Sequence, residues 1–333
     1  MTDFPARPLR DDARLPLVVD APAAGRDLAG FTRTHRQAIE ARVLAHGAVL
    51  LRGFAVADVA AFDRFVGALT DDRLDYLYSS TPRTALGDRI FTATEYPAAL
   101  DIPLHNECAY QRDWPMKISL CCLQPAATGG ETPLADMRGV GARLGEALLD
   151  RFESRGVRYV RHYHPLMDVP WQKSFQTDDR AEVERICHER GIACDWLAGD
   201  VLRTSQACQG TVRHPATGER FLFNQAHLFH VSALGAAAPA MLRQFGANRL
   251  PRHAFFGDGG EILPADLDAV REAFKAEAIV FPWQAGDVVL ADNLQVAHGR
   301  RPFRGQRKVV VALLEGRTTP REALCFASEP VVA

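Results

Sequence analysis

The sequence predicts a mainly β protein with helical decoration, closed as a barrel or sandwich and not as a doubly wound sheet. Short apolar runs recur between turn signals over most of the 333 residues. Segments of helical periodicity intrude among them, but without the regular alternation that βαβ units require. No repeat, low-complexity tract or linker divides the chain, so residues 31–333 read as one domain behind an N-terminal arm, 1–30, rich in Pro, Asp and Arg.

The elements follow in order. Ile39, Val43 and Leu44 recur at helical spacing between Thr34 and His46, and Gly47 ends that helix. Ala48–Arg52 reads as a short buried strand, and Val56–Leu69 as a second helix with Val59, Phe62, Phe65 and Val66 on one side. Strands are then predicted at 89–94, 117–123, 132–135, 156–163, 201–207, 221–224, 287–291 and 308–314. His214-Pro-Ala-Thr-Gly218 is the turn of a hairpin. Helices are predicted at 139–154, 179–190, 240–250 and 265–278.

Composition narrows the class. With 47% apolar and 24% charged residues, the chain is neither disordered nor collagenous nor a disulfide mini-scaffold. A net charge of −2 supplies no global attraction to nucleic acid or to an anionic membrane. The uncharged stretch 221–242 carries Asn224, Gln225, His227, His230 and Ser232, too many polar groups for a bilayer span. Met1–Asp20 has no apolar core of a signal peptide, and seven cysteines, an odd number, read as free thiols. A cytoplasmic protein is expected.

The sharpest chemical signal is Leu104-His-Asn-Glu107. On a strand, His105 and Glu107 point to the same face, so an imidazole and a carboxylate converge. With one distant histidine they would form the 2-His-1-carboxylate set that holds Fe(II) and leaves positions open. Chance alone supplies about one His-x-acid pair at this composition, and this is the only one in the chain. Its meaning therefore rests on what accompanies it.

Downstream stand Trp114-Pro115, Ala127-Thr-Gly-Gly-Glu-Thr-Pro-Leu-Ala-Asp136, Gly286-Asp287, Asp292-Asn293, His298-Gly-Arg300 and Gly305-Gln-Arg307. In this order the chain resembles the TauD/TfdA, or taurine dioxygenase-like, family of Fe(II)- and 2-oxoglutarate-dependent oxygenases. The resemblance implies a double-stranded β-helix, or jelly roll, with a metal near one mouth. It implies His105, Glu107 and His298 as iron ligands and catalytic residues, and Thr132 and Arg307 as the holders of 2-oxoglutarate, with O2 as the third reactant. Arg suits a diacid because its planar fork donates two parallel bonds and stays charged. Arg300, Arg301 and Arg304 crowd the same segment and are the alternatives to Arg307.

The family's other marks refine this expectation. Halogenating relatives lack the carboxylate ligand, so Glu107 argues for hydroxylation, desaturation or a related oxidation. Several relatives place a substrate-binding Arg four residues after the 2-oxoglutarate Arg, where this chain has Val311. The motif texture looks closest to amino-acid hydroxylases of nonribosomal-peptide pathways. That implies a small-molecule substrate, an amino acid either free or presented by a carrier protein, in secondary metabolism. Asn224 and His227 are candidate substrate contacts, and His227 with His230 at H-x-x-H spacing is a weaker alternative metal pair. Two rival readings keep the fold: a jelly-roll metal-dependent hydrolase or isomerase, which needs neither Thr132 nor Arg307, and a non-catalytic binding module.

Overall fold

The computed structural model describes residues 4–23, 25–76, 78, 83–93, 96–163 and 169–324. An eight-stranded sheet forms its spine, in the spatial order Arg7–Pro8, Leu17–Asp20, Ala48–Arg52, Val288–Asp292, Asp113–Gln124, Lys308–Thr318, Ile90–Thr92 and Ala85–Gly87. Its central strands read as unbroken apolar runs because both of their faces are covered. Val49, Leu51, Val288, Leu290, Val310 and Ala312 point to one side. There they meet Ile39 and Val43 of the helix Leu28–His46, and Phe62, Phe65 and Val66 of the helix Val59–Leu69. Each such fully buried side chain contributes about 1.5–3 kcal/mol.

The alternate residues, Leu50, Leu120, Val289, Val309 and Val311, point to the other side and belong to a separate core. That face looks toward a four-stranded sheet ordered Ala278–Ile279, Leu134–Asp136, Val296–Arg300 and Ile102–His105. A further four-stranded sheet, Ala193–Leu197, Val201–Cys208, Val157–Tyr163 and Arg252–Phe256, extends the same core. The molecule is thus mainly sheet with helices set around it, as composition and pattern suggested.

Several boundaries differ from the sequence reading for identifiable reasons. Part of the N-terminal arm is built into the main sheet. Leu17–Asp20 pairs in parallel with Ala48–Arg52 inside the main sheet, and Leu17, Val18 and Val19 are buried. The first helix starts at Leu28, where the Asp27 carboxylate caps the Ala29 and Gly30 amides; non-helical angles at His35 interrupt the regular period. The helix expected over 139–154 is two, Met137–Leu144 and Glu146–Arg155, because Gly145 sits at φ +74°. The hairpin around His214–Gly218 forms as read, pairing Thr211 with Leu222. Cys108, Cys121, Cys122, Cys187, Cys194 and Cys208 are free thiols, and Cys325 lies outside the described residues. No helix among the described residues is long and apolar enough to cross a membrane.

Candidate metal and keto-acid site

Strand pairing brings the two motif histidines together. Val296–Arg300 runs antiparallel to Ile102–His105, and in that register His298 stands directly opposite His105. Their rings are 4.5 Å apart, and His298 Nε2 lies 3.3 Å from Glu107 Oε2. One ligand-type atom from each of His105, Glu107 and His298 falls within 4.8 Å of the others. Gly299 follows His298 because an added Cβ there would sit 2.6 Å from the Ile102 carbonyl oxygen of the paired strand.

Protonation favours ligation by this group. His105 Nδ1 donates to the Pro103 carbonyl at 2.8 Å, so its Nε2 keeps the free lone pair. Burial, reinforced by the His298 charge, pushes the His105 imidazole down to about 4, so it is neutral near pH 7. Burial alone would raise the Glu107 carboxyl; the Arg83 guanidinium and His298 outweigh it and hold the carboxyl well below the usual range. Arg83 Nη2 donates to Glu107 Oε2 at 2.9 Å, and that pairing, against the opposing effect of burial, holds the guanidinium above its usual value. An imidazole held neutral beside an ionised carboxylate and a second histidine is the donor type that suits Fe(II).

The backbone around Glu107 is clamped by the Asp292-Asn293 turn. The Glu107 amide donates to Asn293 Oδ1 at 2.7 Å, while Asn293 Nδ2 donates to the carbonyls of Glu107 and Pro115. Asp292 in turn accepts from the amides of Leu294 and Gln295 and from His214 Nε2 at 2.8 Å. His214, read from sequence only as part of a turn, thus supports the strand that carries His298. Its partner lies 78 residues away, so no local spacing could have found it.

Thr132 and Arg307 also come together. Arg307 Nη2 lies 3.4 Å from Thr132 Oγ1, and Arg307 Nε donates to the Gly130 carbonyl at 2.8 Å. Gly130 adopts φ +76°, and a Cβ there would stand 3.0 Å from Arg307 Cδ, so the Gly-Gly step makes room for the guanidinium. Thr132 Oγ1 also accepts from Trp283 Nε1 at 3.0 Å. With two donors aimed at its oxygen, the hydroxyl's own proton remains for a third group. Burial pushes Arg307 down to about 10, which leaves it charged at neutral pH.

A cavity between the two facing sheets joins the groups. It is lined by His105, His298, Thr132 and Arg307, with Leu120, Val309 and Val311 as its apolar wall. A larger cavity of about 540 Å³ opens from the other side of His105 and Glu107. Arg300, one alternative anchor, spends its guanidinium on the carbonyls of Tyr96, Pro97 and Leu100. Arg301 and Arg304 are exposed.

The expected substrate contacts lie elsewhere. Asn224 is buried, donating to the Gly210 carbonyl and capping the Ala226 amide, and His227 Nε2 donates to the Leu104 carbonyl at 3.0 Å. Neither lines the large cavity; their neighbours Gln225, Leu228, Phe229 and His230 do. The segment that carries Asn224 and His227 thus lines the large cavity through other side chains.

Residues 8–313 match the family model described as taurine catabolism dioxygenase TauD, TfdA family. The chain is 42% identical over 270 residues to the dapdiamide synthesis protein DdaC of Enterobacter agglomerans, covering 81% of this chain and 82% of that one. It is 30% identical over 332 residues to the clavaminate synthase-like protein At3g21360 of Arabidopsis thaliana, covering 94% and 97%. Among solved structures it resembles PvcB, an Fe, alpha-ketoglutarate-dependent oxygenase from an isonitrile synthetic pathway, with TM-score 0.55, 17% identity and 96% of each chain covered. AAD-2 in complex with Mn(II) and N-oxalylglycine matches with TM-score 0.55 and 15% identity over 96% and 99%. This chain belongs to the TauD/TfdA family of Fe(II)- and 2-oxoglutarate-dependent dioxygenases.

Proposed function

We propose that the chain oxidises an unactivated C–H bond of a small amino-acid-type substrate, free or carrier-bound, by hydroxylation or desaturation in secondary metabolism. His105, Glu107 and His298 are the iron ligands, and Thr132 with Arg307 holds the far carboxylate of 2-oxoglutarate. The observation that carries this reading is one cavity lined both by the two histidines of the His-Glu-His group and by the Thr132–Arg307 pair. A metal hydrolase or isomerase would have no use for the second. In fold terms the reading takes the two facing sheets as the halves of a jelly roll, and residues 31–333 as the catalytic domain.

Iron(II) bound there supplies, with 2-oxoglutarate and O2, the oxidant for a C–H bond, and succinate and CO2 are the co-products. The chain's own contribution is positional. His105 offers Nε2 because Pro103 fixes its Nδ1 proton, and Glu107 stays ionised because Arg83 faces it. Arg307 gives a fixed cation and Thr132 a hydroxyl proton to one carboxylate, while Leu120, Val309 and Val311 keep that end dry. The similarity to DdaC, a dapdiamide synthesis protein, supports a role in a biosynthetic route.

The test is anaerobic titration of Fe(II)-loaded protein with 2-oxoglutarate, followed by succinate assay under air. A weak visible charge-transfer band that is lost in His298→Ala is the expected result. Metal uptake with no band and no succinate would sink the proposal in favour of hydrolytic or isomerase chemistry.

A further inference from the structure

The large cavity is lined by a cation with unmet donors. Arg83 has a side chain only 4% exposed and lines both the keto-acid cavity and the 540 Å³ cavity. Its Nη2 is committed to Glu107, and its guanidinium lies 4.1 Å from the centroid of the Tyr76 ring. Nε and Nη1 are buried with no hydrogen-bond partner among the described residues. Those two atoms carry three N–H bonds, and a buried guanidinium with unmet donors is costly unless something answers them.

Charge points the same way. Arg83, Arg252, Arg300 and Arg307 line the two cavities, and the only acidic residue among the described lining residues is Glu107. On the proposed function, Glu107 shares its charge with the metal, and Arg307 is matched by the keto acid. Arg83 is then left with a weakened counter-ion beside the place where a substrate must approach. The rest of the wall is largely apolar, with Tyr110, Leu228, Phe229, Val231 and Met241.

We infer that Arg83 is the anion-binding residue of the substrate pocket and that the substrate carries a free carboxylate there, held through Nε–H and Nη1–H. The inference rests on the proposed function for the position of the metal. It specifies a free acid over a substrate whose only carboxyl is tied up as a thioester. A carboxylate at Cα and one in the side chain would both satisfy it.

Anaerobic protein loaded with Fe(II) and 2-oxoglutarate is titrated with the common L-amino acids and with their C-terminal amides, reading the shift of the visible band. At least one free acid should shift the band, and its amide should not, at about tenfold higher concentration. Aspartate and glutamate amides tell a side-chain carboxylate from one at Cα. In Arg83→Lys, which retains a cation opposite Glu107, acid binding, read against that variant's own 2-oxoglutarate band, should weaken about tenfold or more. Arg83→Gln should weaken acid binding at least as far. Were Arg83→Gln to lose the metal, the lysine variant decides. Acids and amides acting alike, no acid shifting the band, or Arg83→Lys binding acid as tightly as the parent would each overturn the inference. Failure of the parent to form any band instead removes the proposed function beneath it.

Discussion

Among the described residues, two places gather two histidines and a glutamate within 4.8 Å: His105, Glu107 and His298, and also His230, His253 and Glu261. By residue type they are the same set. In the first, Nδ1 of His105 donates to a carbonyl, so Nε2 presents a lone pair. In the second, Nδ1 of His230 accepts from the Ser232 amide, and Nδ1 of His253 accepts from the Val231 amide. That direction puts the proton of each neutral ring on Nε2, where a metal would need the lone pair. The carboxylates differ too, since Glu107 is buried and clamped through its backbone while Glu261 is exposed. The comparison teaches that a ligand set is defined by where its protons are held and how rigidly, and only then by which residues cluster.

The largest expected effect tests the comparison directly. His105→Ala or His298→Ala should abolish tight Fe(II) or Mn(II) uptake and succinate formation, while His253→Ala leaves metal stoichiometry unchanged, as read by anaerobic titration. A fall in stoichiometry in His253→Ala would break the distinction. Next, Arg307→Lys keeps the charge and loses the fork, and should raise the 2-oxoglutarate KM by about tenfold to a hundredfold; an unchanged KM would remove Arg307 from its role. Asn293→Ala, which frees the backbone of Glu107, should weaken metal binding by about tenfold in folded protein whose circular dichroism is unaltered.

The smallest effect concerns acid. Burial pushes His230 and His253 down to about 4, with Arg271 and His230 respectively adding to it. In the unfolded chain both titrate near the ordinary imidazole value of about 6.5. As pH falls from about 6.5 to about 4, the unfolded state takes up protons that the native state refuses, so stability declines through that window. His227, pushed down by burial to about 3, adds in the same direction. His253→Asn should lower the slope of unfolding stability against pH by at most about one proton, read from denaturant midpoints at pH 7 and pH 5. A parent midpoint that does not move across the window would contradict the neutral, Nε2-protonated rings on which the comparison depends.

Much of the site was legible because its parts are local. His105 closes the strand Ile102–His105 and Glu107 stands two residues on, in the turn that follows, and Thr132 and Arg307 lie in motifs whose glycines have local reasons, as Gly130 at φ +76° illustrates. The strand runs Ala48–Arg52 and Lys308–Leu314 were visible because burial on both faces makes 48–51 and 309–314 uniformly apolar. The sequence did not reveal His214 on Asp292, Arg83 on Glu107, or the insertion of Leu17–Asp20 into the main sheet. Each of these depends on contacts between segments whose separation carries no periodic signal.

The chain's own pattern thus determined the mainly β class, the family, and the residue types offered for metal and diacid, because these depend on periodicity and on donor chemistry. Only the tertiary structure decided which imidazole nitrogen is left bare, which of four arginines meets Thr132, and which cation keeps unmet donors beside the proposed metal position. Those outcomes turn on hydrogen bonds and burial between distant segments, where a change of one partner moves a proton or exposes a charge without altering any motif.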